Sequence, residues 1–239
     1  MKQAMILAAG LGTRLKPLTD TMPKALVPVG GKPLLEWNIR TLQAQGYDRF
    51  VINIHHFAQQ IRAYVAQQDY APLVHFSDET SQLLETGGGL KKAARLFSND
   101  QPILVHNVDI LSNADLLSLY NNAHTTTLLV SQRQTQRYLL FDDTNRLIGW
   151  TNIATGEYKS PYSDIKERPA RGLAFSGIQV FHPSLLPLMD SWEGKFSIID
   201  FYLSICDKVD IRSCLDPQLQ LLDVGKLDTI AKAEAFLQH

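Results

Sequence analysis

Four charged residues carry the chemistry this sequence offers: Arg14 and Lys24 near the start, Asp109 near the middle and Asp223 near the end. Arg14 follows Gly10, Leu11, Gly12 and Thr13. Glycine-rich turns of this kind present backbone N–H groups as an anion cradle, and Arg and Lys add charge-assisted bonds to phosphate oxygens. From Arg14 to Lys24, three basic side chains stand against the single acid Asp20, in a chain of net charge −1. A phosphate-bearing ligand suits such a segment. Asp109 follows the apolar run 103–105 and Asp223 follows Leu221 and Leu222. Two carboxylates at strand ends can hold one hard divalent ion that bridges substrate phosphates. Plainer readings exist for each feature. A strand-end Asp is often a turn or helix cap, although Ser112 or Asn113 is the expected cap of the following helix. Gly10-Leu11-Gly12 lacks the third glycine of a dinucleotide fingerprint and the lysine of a Walker loop, which leaves a solvated basic loop as the plain alternative.

The elements that position these residues alternate. The apolar run 4–9 reads as a buried parallel strand that stops at Gly10 and Gly12. Leu34, Leu35, Ile39 and Leu42 recur at helical spacing up to Gly46, 50–54 reads as a strand, and Phe57, Ile61, Tyr64 and Val65 mark a second helix. A strand at 73–76 precedes the turn Glu85-Thr86-Gly87-Gly88-Gly89, which opens a helix carrying Leu90, Ala93, Ala94, Leu96 and Phe97. The strand 103–105 then leads to Asp109. This order predicts a Rossmann-like α/β fold, a mostly parallel sheet with helices on both faces and right-handed crossovers. Ligands bind beyond the carboxyl ends of such strands, so the glycine loop, the 86–89 turn and Asp109 should share one edge. Short strands at 126–131, 138–141 and 146–150, around an Asp142 to Asn145 turn, predict a small antiparallel excursion. A strand at 173–181, a helix at 196–206, a strand at 219–224 and a helix at 227–237 complete the chain.

Composition sets the limits. With 239 residues, 45 % apolar and 20 % charged, the chain can bury the core of one large domain, 1–239. It has no run of eighteen apolar residues and no signal-peptide pattern, so a cytoplasmic location is expected. Cys206 and Cys214 lack metal-ligand spacing and are expected to be reduced packing residues. Near-neutral charge gives no footprint for nucleic acid or a membrane surface, which leaves small-molecule substrates as the expected partners. Oligomeric state is not legible.

LAAGLGTRLKPLT followed by PKALVPVGGKPLLEW resembles the signature of the sugar-1-phosphate nucleotidyltransferases, and the resemblance extends over nearly the whole chain. It implies the nucleotide-diphospho-sugar transferase fold and a reaction in which a sugar 1-phosphate oxygen attacks the α-phosphorus of a nucleoside triphosphate, releasing pyrophosphate. It implies Mg²⁺ at Asp109 and Asp223, although the family usually has Gly before the first Asp and Val108 stands here. By the same resemblance Arg14 meets the β and γ phosphates and Lys24 the α-phosphate. Ala8, Ala9, Gly10, Gly12 and Thr13 cradle the nucleotide, and Glu85, Thr86 and Gly87 contact its base and ribose. Three consecutive glycines at a helix start cost about 0.5–1 kcal/mol each against alanine, a cost that close approach of a ligand explains.

Asn107, Trp150, Ser176, Gly177 and Lys195 fall on the sugar side. A half-buried strand tryptophan is also an ordinary core residue, and Lys195 an ordinary surface lysine; His55 and His56 read as structural. Leu84-Glu85-Thr86-Gly87-Gly88-Gly89 and Ala174-Phe175-Ser176-Gly177-Ile178 resemble the branch of N-acetylmuramate 1-phosphate uridylyltransferases, with Phe175 where other branches carry Asn. The expected substrates are UTP and N-acetylmuramate 1-phosphate or a related hexose 1-phosphate. The runner-up is guanylyl transfer to mannose or heptose 1-phosphate, and a non-catalytic binding homologue is the alternative of another class.

Overall fold

The computed structural model describes residues 1–98 and 100–237. In chain order the strands and helices are β1 Gln3–Leu7, β2 Pro28–Val29, β3 Lys32–Pro33, α1 Leu34–Ala44, β4 Arg49–Ile54, α2 Ala58–Ala66, β5 Val74–Asp78, α3 Glu85–Ala93, β6 Ile103–Asn107, β7 Ile110–Ser112, α4 Leu116–Asn122, β8 Thr126–Ser131, β9 Arg137–Phe141, β10 Leu147–Asn152, β11 Glu157–Lys159, β12 Arg171–Phe181, α5 Ile198–Ile205, β13 Ile211–Leu215, β14 Leu221–Asp223 and α6 Ile230–Phe236. A ten-stranded sheet runs β11-β10-β9-β12-β6-β1-β4-β5, with β8 and β13 branching from β12.

β1, β4, β5 and β6 are parallel, as the apolar run of β1 predicts. Alternate residues face opposite cores. Ala4 and Ile6 of β1 join Phe50 and Ile52 beneath Leu35 and Ile39 of α1 and Ile61 of α2. Met5, Val51 and Val105 face the other way, against Leu90 of α3 and Phe201 of α5. The register aligns Leu7 with Asn53 on one side and with Asn107 on the other. Three strands therefore end level, and the rim they form carries the candidate site.

The expected antiparallel excursion is present and is built on one long strand. The long strand β12 pairs antiparallel with β6, β8 and β9, and β9, β10 and β11 continue the meander. Between Phe175 and Gln179 the β12–β8 register shifts, and Gly177 sits at φ 81°. The strand bends there, as bulged strands do.

Several expected elements move. The late strand is only Leu221–Asp223, and it leaves the main sheet to pair antiparallel with β7, so Asp223 lies opposite Ile110. The expected cap of α4 at Ser112 or Asn113 is instead Asp115, whose carboxylate accepts from the Ser118 N–H at 2.8 Å. Asn113 is occupied elsewhere, donating to Gln218 O and accepting from the Gln220 N–H, which ties down the approach to β14. α5 starts at Ile198 rather than 196, because the Phe196 carbonyl accepts from the Gly87 and Gly88 N–H groups and Ser197 serves as the cap. The last helix begins at Ile230, after a 3-10 turn at Leu227–Thr229.

A third apolar cluster joins the two ends of the chain. Leu15, Val27 and Val29 from the early loop pack with Val224 and with Ala233 of α6. Among the described residues no helix is long and apolar enough to cross a membrane.

Candidate active site

A cleft of about 430 Å³ opens above the level strand ends and is lined by Leu7, Ala9, Gly10, Lys24, Asn53, Glu85, Thr86, Asn107, Val108 and Asp109, among others. The glycine loop reaches it because the chain leaves β1 with its backbone tied down. Ala8 N–H donates to Asn53 Oδ1 at 2.7 Å, Asn53 Nδ2 donates to Glu79 Oε1 at 2.8 Å, and Glu79 Oε2 accepts from the Leu84 N–H at 3.1 Å. Glu79 is wholly buried. A buried carboxylate is tolerated only with such partners, and this one fixes the glycine loop and the start of α3 in one frame. Neither Asn53 nor Glu79 was expected from sequence to serve the site.

Past Gly10 the loop folds on itself. Gly12 sits at φ 64°, and a Cβ there would lie 2.9 Å from Thr19 Cγ2. Its carbonyl accepts from the Thr19 hydroxyl at 2.9 Å and from the Leu15 N–H at 2.8 Å. Thr13 and Arg14 are exposed on this loop. Gly12 and Thr13 therefore shape the loop beside the cleft, while Ala9 and Gly10 form its wall.

Lys24, raised by the 3-10 turn Lys24–Leu26, forms a partly buried ion pair with Asp109. Asp109 is held by its neighbours: Val108 N–H donates to Leu7 O at 3.2 Å, Asn38 Nδ2 donates to Val108 O at 2.9 Å, and Asp109 O accepts from the Val224 N–H at 2.8 Å. The last bond places Asp223, one residue before Val224, beside Asp109. Val108, where the resembled family has glycine, sends its side chain into the core that contains Leu35 and Ile39. Its side chain is thus accommodated within that core.

Arg14 converges on the same corner. A Cβ at Gly225 would lie 2.6 Å from Asp223 Oδ1 and 2.7 Å from Arg14 Nη2. Lys24 and Asp109 line the cleft, and Asp223 and Arg14, up to 209 positions away in the chain, sit beside them. Among the described residues no group of three or more His, Cys, Asp and Glu could hold a metal. Asp109 and Asp223 supply two hard oxygen donors, a set that fits an ion completing its shell with water and substrate phosphates.

The glycine triplet has a different reason from the expected one. A Cβ on Gly87 would collide with the Phe196 ring, one on Gly88 with Gly194 O, and one on Gly89 would sit 2.8 Å from Glu79 Oε1. Protein fills the space at all three. Gly87 stays out of the cleft lining, and its N–H is bound to Phe196 O at 2.9 Å. Glu85 and Thr86 do line the cleft. Thr86 Oγ1 also accepts from the Ile198 N–H at 3.0 Å, locking α3 to α5.

Of the residues expected on the sugar side, Asn107 lines the cleft and abuts the bulge: a Cβ on Gly177 would lie 2.8 Å from Asn107 Nδ2. Ser176 is buried and its hydroxyl accepts from the Ile178 N–H at 3.2 Å, so it shapes the bulge and does not face the cleft. Trp150 lines an adjoining cavity of about 410 Å³, which shares Ser197 with the cleft. Lys195 pairs with Glu85 at 3.1 Å, both side chains about half exposed, in a bond that contributes little by itself. His55 bonds to Glu79 O at 2.6 Å through Nδ1. Burial pushes the His106 imidazole down to about 4, against the opposing effects of the Asn107 carbonyl and Asp109.

A level rim of parallel strand ends, a fixed glycine loop and converging basic and acidic side chains define an α/β enzyme that handles phosphorylated ligands. The nucleotidyl transferase family model matches residues 3–239, and the chain belongs to that family. An N-acetylmuramate alpha-1-phosphate uridylyltransferase of Caulobacter vibrioides is 45 % identical over 99 % of this chain and 97 % of its own length. One from Neisseria meningitidis serogroup B is 32 % identical over 77 % of this chain and 76 % of its own. A D-glycero-alpha-D-manno-heptose 1-phosphate guanylyltransferase of Campylobacter jejuni is 27 % identical over 93 % of this chain and 94 % of its own. Among solved structures, a UDP-glucose pyrophosphorylase complexed with UDP-glucose superposes with a TM-score of 0.77 at 15 % identity, covering all of this chain and 98 % of that one. These findings bear out the resemblance to sugar-1-phosphate nucleotidyltransferases and the nucleotide-diphospho-sugar transferase fold.

Proposed function

We propose that the chain, acting as one nucleotidyltransferase domain over 1–239, transfers a uridylyl group from UTP to N-acetylmuramate 1-phosphate or a closely related hexose 1-phosphate. The products are the UDP-sugar and pyrophosphate. The observation that carries this reading is the convergence of Arg14, Lys24, Asp109 and Asp223 at one corner of the cleft. The identity to the two N-acetylmuramate alpha-1-phosphate uridylyltransferases supports the choice of substrates.

The attacking phosphate oxygen is already ionised at neutral pH, so no general base is needed. Catalysis then consists of aligning two anions that repel each other and neutralising charge as the α-phosphorus is attacked. Ala9 and Gly10 hold the nucleotide against the wall of the cleft. Lys24 neutralises charge at the α-phosphate, and Arg14 orients the departing β and γ groups. Glu85 and Thr86 bound the base and ribose, and Asn107 with the Gly177 bulge receives the sugar. Asp109 and Asp223 would hold a Mg²⁺ ion, which when bound would supply charge screening for the substrate phosphates.

Pyrophosphate release from each of four nucleoside triphosphates against N-acetylmuramate, N-acetylglucosamine, mannose and heptose 1-phosphates tests the proposal. UTP with N-acetylmuramate 1-phosphate should give the highest kcat/KM, and only with Mg²⁺ present. A preference for GTP with a mannose-type sugar would favour the guanylyl reading, which the Campylobacter jejuni relative supports. No turnover of any pair would leave a non-catalytic binding protein.

A further inference from the structure

The cavity beside the cleft carries charge that the proposed reaction does not use. Arg133, just past β8, and Arg137, the first residue of β9, both line it. Its other charged groups cancel, since Lys159 pairs with Asp200 at 3.1 Å. Among the described residues, neither arginine has an Asp or Glu oxygen within 4.0 Å. Arg133 is oriented by one bond, its Nη2 donating to Phe175 O at 3.1 Å. That bond anchors it to the bulged stretch of β12 that places Gly177 against Asn107. Trp150 and Phe175 add aromatic surface to the same cavity.

We propose that Arg133 and Arg137 form a carboxylate-binding subsite that selects sugar 1-phosphates bearing an acidic substituent on the ring. The inference deepens the reading above and rests on it. A sugar whose 1-phosphate lies at the Lys24 end of the cleft projects the far side of its ring past Ser197, which borders both cavities. Two guanidinium groups without an acidic partner meet a carboxylate there through paired N–H donors, the geometry for which arginine is better suited than lysine. The aromatic wall accommodates the ring itself. N-acetylmuramate carries such an acid as a lactyl ether, and N-acetylglucosamine differs by lacking it.

The test compares kcat/KM of the wild-type enzyme and R133Q/R137Q with these two sugar 1-phosphates, at saturating UTP and Mg²⁺. The double substitution should lower kcat/KM for N-acetylmuramate 1-phosphate by about 10- to 100-fold, mostly through KM, and change that for N-acetylglucosamine 1-phosphate less than about twofold. R133K/R137K should recover part of the loss. Equal losses for both sugars, or no loss for either, would overturn the subsite. Calorimetric binding of the two sugar phosphates separates this from the reaction itself. If the wild-type chain turns over neither sugar, the proposed reaction fails, and the subsite then stands only if the acidic sugar binds more tightly in a manner abolished by R133Q/R137Q. Equal binding of both sugars by the wild-type chain would remove it.

Discussion

At Gly10 a Cβ would find no atom within 4 Å, whereas at Gly87, Gly88 and Gly89 it would meet the Phe196 ring, the Gly194 carbonyl and the Glu79 carboxylate. Gly10 lines the cleft and the triplet follows Glu85 and Thr86, which line it, and in the sequence both stretches look like loops kept bare for a ligand. The first is bare toward the cleft that Gly10 lines. The second is bare because α3 is pressed against the segment entering α5, with the Gly87 and Gly88 N–H groups bound to Phe196 O. Glycine in a site can thus clear room for substrate or let two pieces of protein close on each other, and only the neighbours distinguish the two.

Substitutions can break or sharpen that contrast. The largest effect is expected on the ligand-serving side: Asp223→Asn should lower turnover by about 10²- to 10³-fold with the thermal midpoint unchanged, a loss typical of removing one group that stabilises developing charge. Near-normal turnover would remove Asp223 from the proposed metal site. On the packing side, Gly88→Ala should cost about 3 kcal/mol, seen as a fall of about 6–12 °C in melting temperature, because the added methyl meets a backbone carbonyl that cannot retreat. An unchanged midpoint would mean the helices separate easily and the contrast is false.

Neighbours on β6 repeat the theme at smaller scale, since Asn107 lines the cleft and His106 is buried. Because His106 is held down to about 4 in the folded chain, unfolded chains take up a proton below about 6.5 that folded ones refuse. Its penalty is absent above that value and grows as pH falls toward 4. Denaturant midpoints of wild type and His106→Gln at pH 7 and 4.5 should show the wild type losing on the order of 2 kcal/mol more on acidification. Parallel losses would exclude His106 as the cause. Gly10→Ala should stay within about 0.5 kcal/mol of wild type in stability. Its kcat/KM should nevertheless fall about tenfold if, as proposed, the nucleotide lies against Gly10 and a methyl intrudes there.

The parallel half was legible because strands buried on both faces write themselves as continuous apolar runs, and the β-α-β order then places their ends on one rim. Arg14, Lys24, Asp109 and Asp223 were legible one by one from residue type and setting, and the structure brings them together. Their manner of meeting was not: β14 leaves the main sheet, and Asp223 reaches Asp109 through a ribbon with β7 that no periodicity announces. The Asn53–Glu79 relay was equally hidden, since Asn53 sits inside an apolar strand and Glu79 in a polar loop. Ser176 had the right type and the wrong orientation, its hydroxyl spent on its own bulge. In each case spacing along the chain reports which face a residue takes and is silent about what comes to meet it from a remote segment.

The early loop and α6 share one apolar cluster, in which Leu15, Val27 and Val29 meet Val224 and Ala233. Synthesis runs from the amino end, and the opening segments emerge long before their counterparts exist. The parallel strands can therefore assemble on the ribosome while Asp109 still lacks Val224 and Arg14 lacks Gly225. On the reading proposed above, a hold on a triphosphate waits for the segment from Asp223 to α6, since only then does Asp109 meet Val224 and Arg14 meet Gly225.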